Sequence, residues 1–334
     1  MTTLAAPVST AHAPIELFIA TVFSSAALVF MVQPMVAKLV LPLLGGSPSV
    51  WNTSMAFFQI ALLAGYGYAH LLQRLTSVKA QATTHCAALL VAAVALPLRV
   101  HDLVGPPTSA HPNLWLLAVL AVSIGAPFAV LSATAPLVQA WYARTLGARD
   151  GKEPYGLYAA SNLGSLLALL AYPIVVEPLF TLEGQRYGWS AAYGVFALLI
   201  AALAFGVSRA AAAPQARAAA KAGSTPSWRD RIAWVALAAI PSSLMLGVTA
   251  YITTDVASAP FLWVLPLALY LATFIIAFQA RPLIPPDATL FLQAVAVAVC
   301  AALLPFHAAS FALQLFVHLA AFSLTALMCH QRLV

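Results

Sequence analysis

The chain has 334 residues, of which 63% are hydrophobic and only 7% charged, with a mean hydropathy of +0.93. A soluble domain carries roughly 25% charged residues, so this composition excludes an ordinary soluble globule and points to lipid as the main solvent. The net charge of +6 comes from fifteen Lys and Arg scattered between apolar segments, with no basic-aromatic patch, so nucleic acid is not an expected partner.

A membrane span needs about 20 apolar residues. Ten runs qualify in chain order, near 15–44, 50–72, 83–98, 113–142, 155–176, 188–208, 232–252, 260–279, 288–306 and 308–330. The segment Met1–Pro14 has no Lys or Arg. The first run exceeds a signal-peptide core of roughly 7–15 residues, so it reads as a retained helix. Pro34 lies inside it and is expected to kink or break it. Gly45-Gly46-Ser47-Pro48 reads as the turn into the second run. The third run is short, and Pro127 and Pro136 interrupt the fourth. The fifth carries Gly156, Ala160 and Gly164 at four-residue spacing, a device for close helix approach. Only His307 separates the last two runs. The runs are continuous and rich in Leu and Ala, unlike alternating barrel strands. The fold class is therefore an all-α polytopic bundle of about ten helices.

The longest linker follows the sixth run, from Ser208 to Asp230, and is basic. The expected domains are a six-helix half (1–208), a cytoplasmic basic linker (209–230) and a partial second half of about four helices (231–334). Six helices, a linker and more helices is the layout of a two-half, major-facilitator-like transporter. Pro48-Ser49-Val50-Trp51 and Pro260-Phe261-Leu262-Trp263 open the second and eighth runs alike, a weak echo between halves.

Twelve of the fifteen Lys and Arg fall after even-numbered runs; only Lys38, near the end of the first run, and Arg99 and Arg186, after the third and fifth, fall on the other side. The positive-inside rule then puts the N-terminus and the 209–230 linker in the cytoplasm of a multi-pass protein.

Polar residues within apolar runs are the candidate solute-binding set: Gln33, Lys38, Asn52, Gln59, Asn162, Glu177 and Asp255. Lys38 is the most unusual, being flanked by Met35-Val36-Ala37 and Leu39-Val40-Leu41. It either snorkels to the interface or pairs with Glu177 or Asp255, which lie at helix ends on the same expected side. Gln33 sits beside Pro34, where a carbonyl is freed. Asn52 and Gln59 are seven apart and share a helix face. Asn162 stands beside the small-residue stripe of the fifth run. His70, His307, His318 and His330 lack metal-site spacing, and Cys86, Cys300 and Cys329 lack disulfide or zinc spacing. No catalytic constellation, phosphate loop or dinucleotide fingerprint is present, so no cofactor or metal is expected.

The stretches FMVQPMVAKLVLPLLGGSPSVWNTSMAFFQIALLAGYGYAHLL (30–72), YGLYAASNLGSLLALLAYPIVVEP (155–178) and TTDVASAPFLWVLPLALYLATFI (253–275) carry a resemblance. The chain resembles the membrane half of a bacterial family of fused major-facilitator/spermidine-synthase-like proteins. That resemblance implies a location in the bacterial inner membrane. It also implies further helices and then an aminopropyltransferase-like domain binding decarboxylated S-adenosylmethionine. The chain stops just after the tenth run, so on this resemblance it reads as a fragment. Nothing in it matches the Gly-rich cofactor loop or catalytic acids of that domain. Two functions are compatible with this reading. One is a transporter-like module for a small polar or cationic solute such as an amine. The other is a membrane anchor for the synthase-like domain. A cavity lined by the polar set favours the first; a bundle packed shut favours the second.

Overall fold

The computed structural model describes residues 14–45, 47–99, 111–147, 155–211, 226–255, 260–279, 283–303 and 311–333. These residues form an all-helical bundle of ten rods, matching the ten apolar runs. They are α1 (Ile15–Leu44), α2 (Pro48–Leu72), α3 (Val78–Ala92), α4 (112–147), α5 (155–179), α6 (Leu182–Ala211), α7 (Trp228–Asp255), α8 (Pro260–Ala277), α9 (Pro286–Leu303) and α10 (Phe311–Gln331). Among the described residues, nine helices are long and apolar enough to cross a bilayer. α8, at 18 residues, rises about 27 Å at 1.5 Å per residue, close to the roughly 30 Å hydrocarbon core.

Helix ends follow local chemistry. Pro48 opens α2 at its first turn, where a missing N–H costs nothing. Gly45 ends α1 at φ 72°, a conformation that favours glycine, and its N–H bonds the Leu41 carbonyl. Ser77 caps α3 by accepting the Ala80 N–H, so α3 begins at Val78 and not at 83. Before α7, Ser227 Oγ accepts the Asp230 N–H while Asp230 Oδ2 accepts the Ser227 N–H, a reciprocal capping box. α6 starts six residues earlier than its apolar run, because its first turn is polar and bonded: Gln185 Nε2 donates to the Phe180 carbonyl and Arg186 Nε to the Leu98 carbonyl.

Prolines widen some helices and leave others intact. Of the expected kink or break at Pro34, there is no break: α1 continues as one helix through Pro34 and Pro42. In α4 a π-turn, Ala121–Gly125, precedes Pro127; in α5 another, Tyr172–Val176, contains Pro173. A wider turn accommodates a residue that cannot donate to the ladder.

The N-terminal half has one continuous core. α1 packs chiefly on α5 and also on α4 and α6, α2 packs on α4, and α3 on α6. Its fully buried centre includes Phe18, Phe128, Leu131, Trp141, Tyr193 and Phe196. Lipid supplies no hydrophobic drive between helices, so close backbone approach and interhelical hydrogen bonds matter more. Ser25 Oγ donates to the Leu131 carbonyl, Trp189 Nε1 to the Leu28 carbonyl, Tyr193 OH to the Leu89 carbonyl and Trp141 Nε1 to Gln81 Oε1.

The second half repeats part of this plan. α7 packs on α10 as α1 does on α4, and α8 packs on α10 as α2 does on α4. This shared packing accords with the Pro-x-x-Trp openings of α2 and α8. The halves meet mainly where α5 lies against α8, with a smaller contact between α2 and α7. The linker residues 212–225 lie outside the described residues, as does His307.

Candidate functional site

A cavity of about 520 Å³ lies between the halves. Its walls come from α1, α2, α4, α5, α7 and α8, and helical periodicity aims each stripe inward. α2 presents Gln59, Leu62 and Tyr66; α5 presents Tyr158, Ser161, Asn162 and Ser165; α8 presents Leu267, Tyr270, Leu271 and Phe274. Residues three, four and seven apart share a helix face. Gln59 and Ser242 sit near the middle of α2 and α7, so the cavity reaches the mid-depth of the bundle. Two-half transporters place their solute sites at that depth.

The lining combines uncommitted amides, hydroxyls and aromatic faces. The side-chain amides of Gln59 and Gln139 line the cavity and have no hydrogen-bond partner among the described residues. The serines are mostly tied to their own helices. Ser132 Oγ donates to the Phe128 carbonyl, Ser165 Oγ to the Ser161 carbonyl and Ser242 Oγ to the Ala238 carbonyl. Asn162 Nδ2 likewise donates to the Tyr158 carbonyl. Ser242 and Tyr270 share a further hydrogen bond, 3.2 Å long, which ties α7 to α8. Among the described residues that line the cavity, none carries a formal charge. Such a lining suits a neutral hydrogen-bonding solute. It also suits an ammonium group, which can be held by amide oxygens and by tyrosine ring faces. A carboxylate would find no cation there.

Aromatic stacking joins the halves beside this space. The Tyr158 ring of α5 lies 4.6 Å from the Phe278 ring and 6.4 Å from the Phe274 ring, both on α8. His330 backs the same cluster, stacked 3.7 Å from Phe274 and hydrogen-bonded through Nδ1 to Thr273 Oγ1. An apolar layer seals the opposite, Lys38-facing side, where Leu169 packs with Val264 and Leu271, and Trp51 lies against them.

The seven polar candidates fall into three groups. Gln59 and Asn162 line the cavity together. Lys38 and Glu177 meet in an ion pair that clamps α1 to α5, at the end of the bundle away from the aromatic cluster. Gln33 is half-buried and donates from Nε2 to the Val29 carbonyl one turn back, and Asn52 is exposed near the start of α2; neither lines the cavity. Asp255 ends α7, and its side chain lies outside the described residues. The polar list missed Gln139, Tyr66, Tyr158 and Tyr270. Tyr66 is seven residues from Gln59, and Tyr158 four from Asn162, so helical spacing from the residues already chosen would have found two of them.

Comparison with known protein families, characterised proteins and solved structures finds no match to this chain.

Proposed function

We propose that the chain is a transporter-like membrane module that binds a small polar solute, of amine type, in the cavity between its halves. The observation that carries this reading is the pair of uncommitted amides, Gln59 and Gln139, facing the same space as Asn162 and the rings of Tyr66, Tyr158 and Tyr270. A cavity lined by amides at mid-depth is costly in a bundle that only anchors another domain, because apolar packing would be more stable there. The volume falls within the roughly 300–1,000 Å³ range of small-molecule sites. The resemblance to fused spermidine-synthase-like proteins supports an amine as the solute class, and membership of that family is part of the proposal. So is a bacterial inner-membrane location with the basic end cytoplasmic. An impermeant thiol reagent added to intact cells should then label Ser109→Cys and spare Ser224→Cys.

The test is uptake of labelled di- and polyamines into proteoliposomes, together with thermal stabilisation of the detergent-purified protein by the same solutes. Ser161→Trp, which fills the cavity, should abolish both effects. Gln59→Leu and Asn162→Leu should each weaken stabilisation about tenfold in apparent affinity, the worth of one lost polar contact. Neither uptake nor stabilisation by any amine would reject the proposal and leave the bundle as a passive anchor.

A further inference from the structure

A second space, of about 530 Å³, opens on the outside of the N-terminal half between α1, α5 and α6. It is separate from the central cavity and almost wholly apolar. Phe23 and Met35 of α1, Val176 of α5, and Val195 and Leu199 of α6 mark its extent. Most of its polar atoms are committed: Tyr172 OH donates to Gln185 Oε1, Gln185 Nε2 to the Phe180 carbonyl and Trp189 Nε1 to the Leu28 carbonyl. Val195 is 67% exposed, so the mouth of the groove opens sideways, onto the surface that meets lipid.

Three features select its occupant. From Phe23 to Met35 the groove follows α1 for about 18 Å at 1.5 Å per residue, close to the roughly 15 Å that one leaflet contributes to the hydrocarbon core. A packed helix, about 10–12 Å across with its side chains, is too thick for a trough of this length and volume, whereas a hydrocarbon chain is not. The Met35 end carries charge: Lys38 lies one turn beyond Met35, Glu177 follows Val176, and the two are ion-paired yet remain 25% and 33% exposed. One ammonium and one carboxylate side by side at the end of an apolar groove complement a phosphate and an ammonium carried by the same headgroup.

We propose that this groove binds one acyl chain of an amine-headgroup zwitterionic phospholipid from the leaflet on the Lys38 side, with the phosphate on Lys38 and the ammonium on Glu177. An anionic glycerol headgroup offers Glu177 hydroxyl donors but no positive charge, so it forms only the weaker, uncharged-donor hydrogen bond. A choline headgroup has no N–H to donate.

The experiment is native mass spectrometry of the full chain, delipidated in detergent and titrated with phosphatidylethanolamine, phosphatidylcholine or phosphatidylglycerol. The ethanolamine lipid should be retained in preference to the other two. A Cβ on Gly188 meets nothing within 4 Å, and Gly188 lines the groove, so Gly188→Leu directs its side chain into that open space. It should reduce retention about tenfold, and Ala192→Leu, one turn along, should act likewise. Leu198→Trp adds bulk on α6 outside the groove and should change nothing. Lys38→Gln combined with Glu177→Gln should leave the chain bound but erase the headgroup preference. Undiminished retention in both groove-filling variants would overturn the site. Equal retention of the three lipids by the unaltered protein would overturn the headgroup assignment. A dimer dissociated by Gly188→Leu would give the groove to a second copy of the chain.

Discussion

Lys38 sits in an apolar stretch of α1, and its ammonium is held there by Glu177 at the far end of α5. The partners are 139 residues apart in sequence, so the pair is a tertiary clamp and not a local helix contact. Partial exposure sets its worth. An exposed pair contributes at most about 1 kcal/mol, while stranding one partner of a fully buried pair costs about 3–5 kcal/mol. A coupling between these limits, about 1–2 kcal/mol, is expected here. Lys38→Met and Glu177→Gln should each destabilise the protein, and the double variant should lose less than the sum of the two. Thermal unfolding of the singles and the double in one detergent measures this. Strict additivity would mean that Lys38 is held by snorkelling alone. Two other polar side chains in the apolar runs are settled more cheaply. Gln33 and Asn162 return a hydrogen bond to the carbonyl four residues earlier, which satisfies a donor without any partner helix.

At the scale of elements, all ten helices are legible in the sequence because the bilayer fixes the length of each apolar run. Boundaries are legible only where the end of a helix is apolar. α6 hid its first turn because Glu183, Gln185 and Arg186 lower the hydropathy there, yet the bonds of Gln185 and Arg186 are what anchor that turn. Which helix packs on which is not readable from hydropathy, since lipid-facing and protein-facing positions are equally apolar. The stripe Gly156, Ala160 and Gly164 shows the limit of spacing alone. A Cβ on Gly164 would lie 2.5 Å from the Phe23 carbonyl oxygen and 3.2 Å from its Cα, whereas one on Gly156 meets nothing within 4 Å. The close crossing of α1 and α5 therefore rests on one glycine of the stripe. Gly164→Ala must push one backbone off another and should cost about 1–3 kcal/mol. Gly156→Ala should stay within about 0.5 kcal/mol of the unaltered protein. Denaturant unfolding of both in mixed micelles discriminates them, and an equal loss in the two would refute the assignment of the crossing to Gly164.

For the whole molecule, the central question is whether the halves move against each other around the cavity. Gln59 and Asn162 were legible as part of the cavity lining because an amide in an apolar helix is conspicuous, and Tyr66 and Tyr158 follow from them by helical spacing; Gln139, an amide of the fourth run, was open to the same reading, whereas Tyr270 joins only where the second half faces the first. Their contact has two layers. Leu169, Val264 and Leu271 pack on the Lys38 side, and the Tyr158 ring packs tilted against Phe278 and edge-on to Phe274 beside the cavity. Neither layer contains an interhalf ion pair or disulfide among the described residues, so each can part and re-form at the modest cost of exposing a few apolar side chains. Alternating access requires that movement. Tyr158→Cys with Phe278→Cys, in a background lacking Cys86, Cys300 and Cys329, brings two thiols together across the α5–α8 contact. A short, reducible bifunctional thiol reagent should bridge them. If the halves rock during transport, bridging should abolish amine uptake into proteoliposomes and reduction should restore it, while solute-induced thermal stabilisation is the same in the bridged and reduced states because both lack the Tyr158 ring of the cavity alike. Each single-cysteine variant controls for the loss of the aromatic ring. Full uptake by the bridged protein would show that α5 and α8 stay together during transport, and would restrict any movement to the smaller contact between α2 and α7.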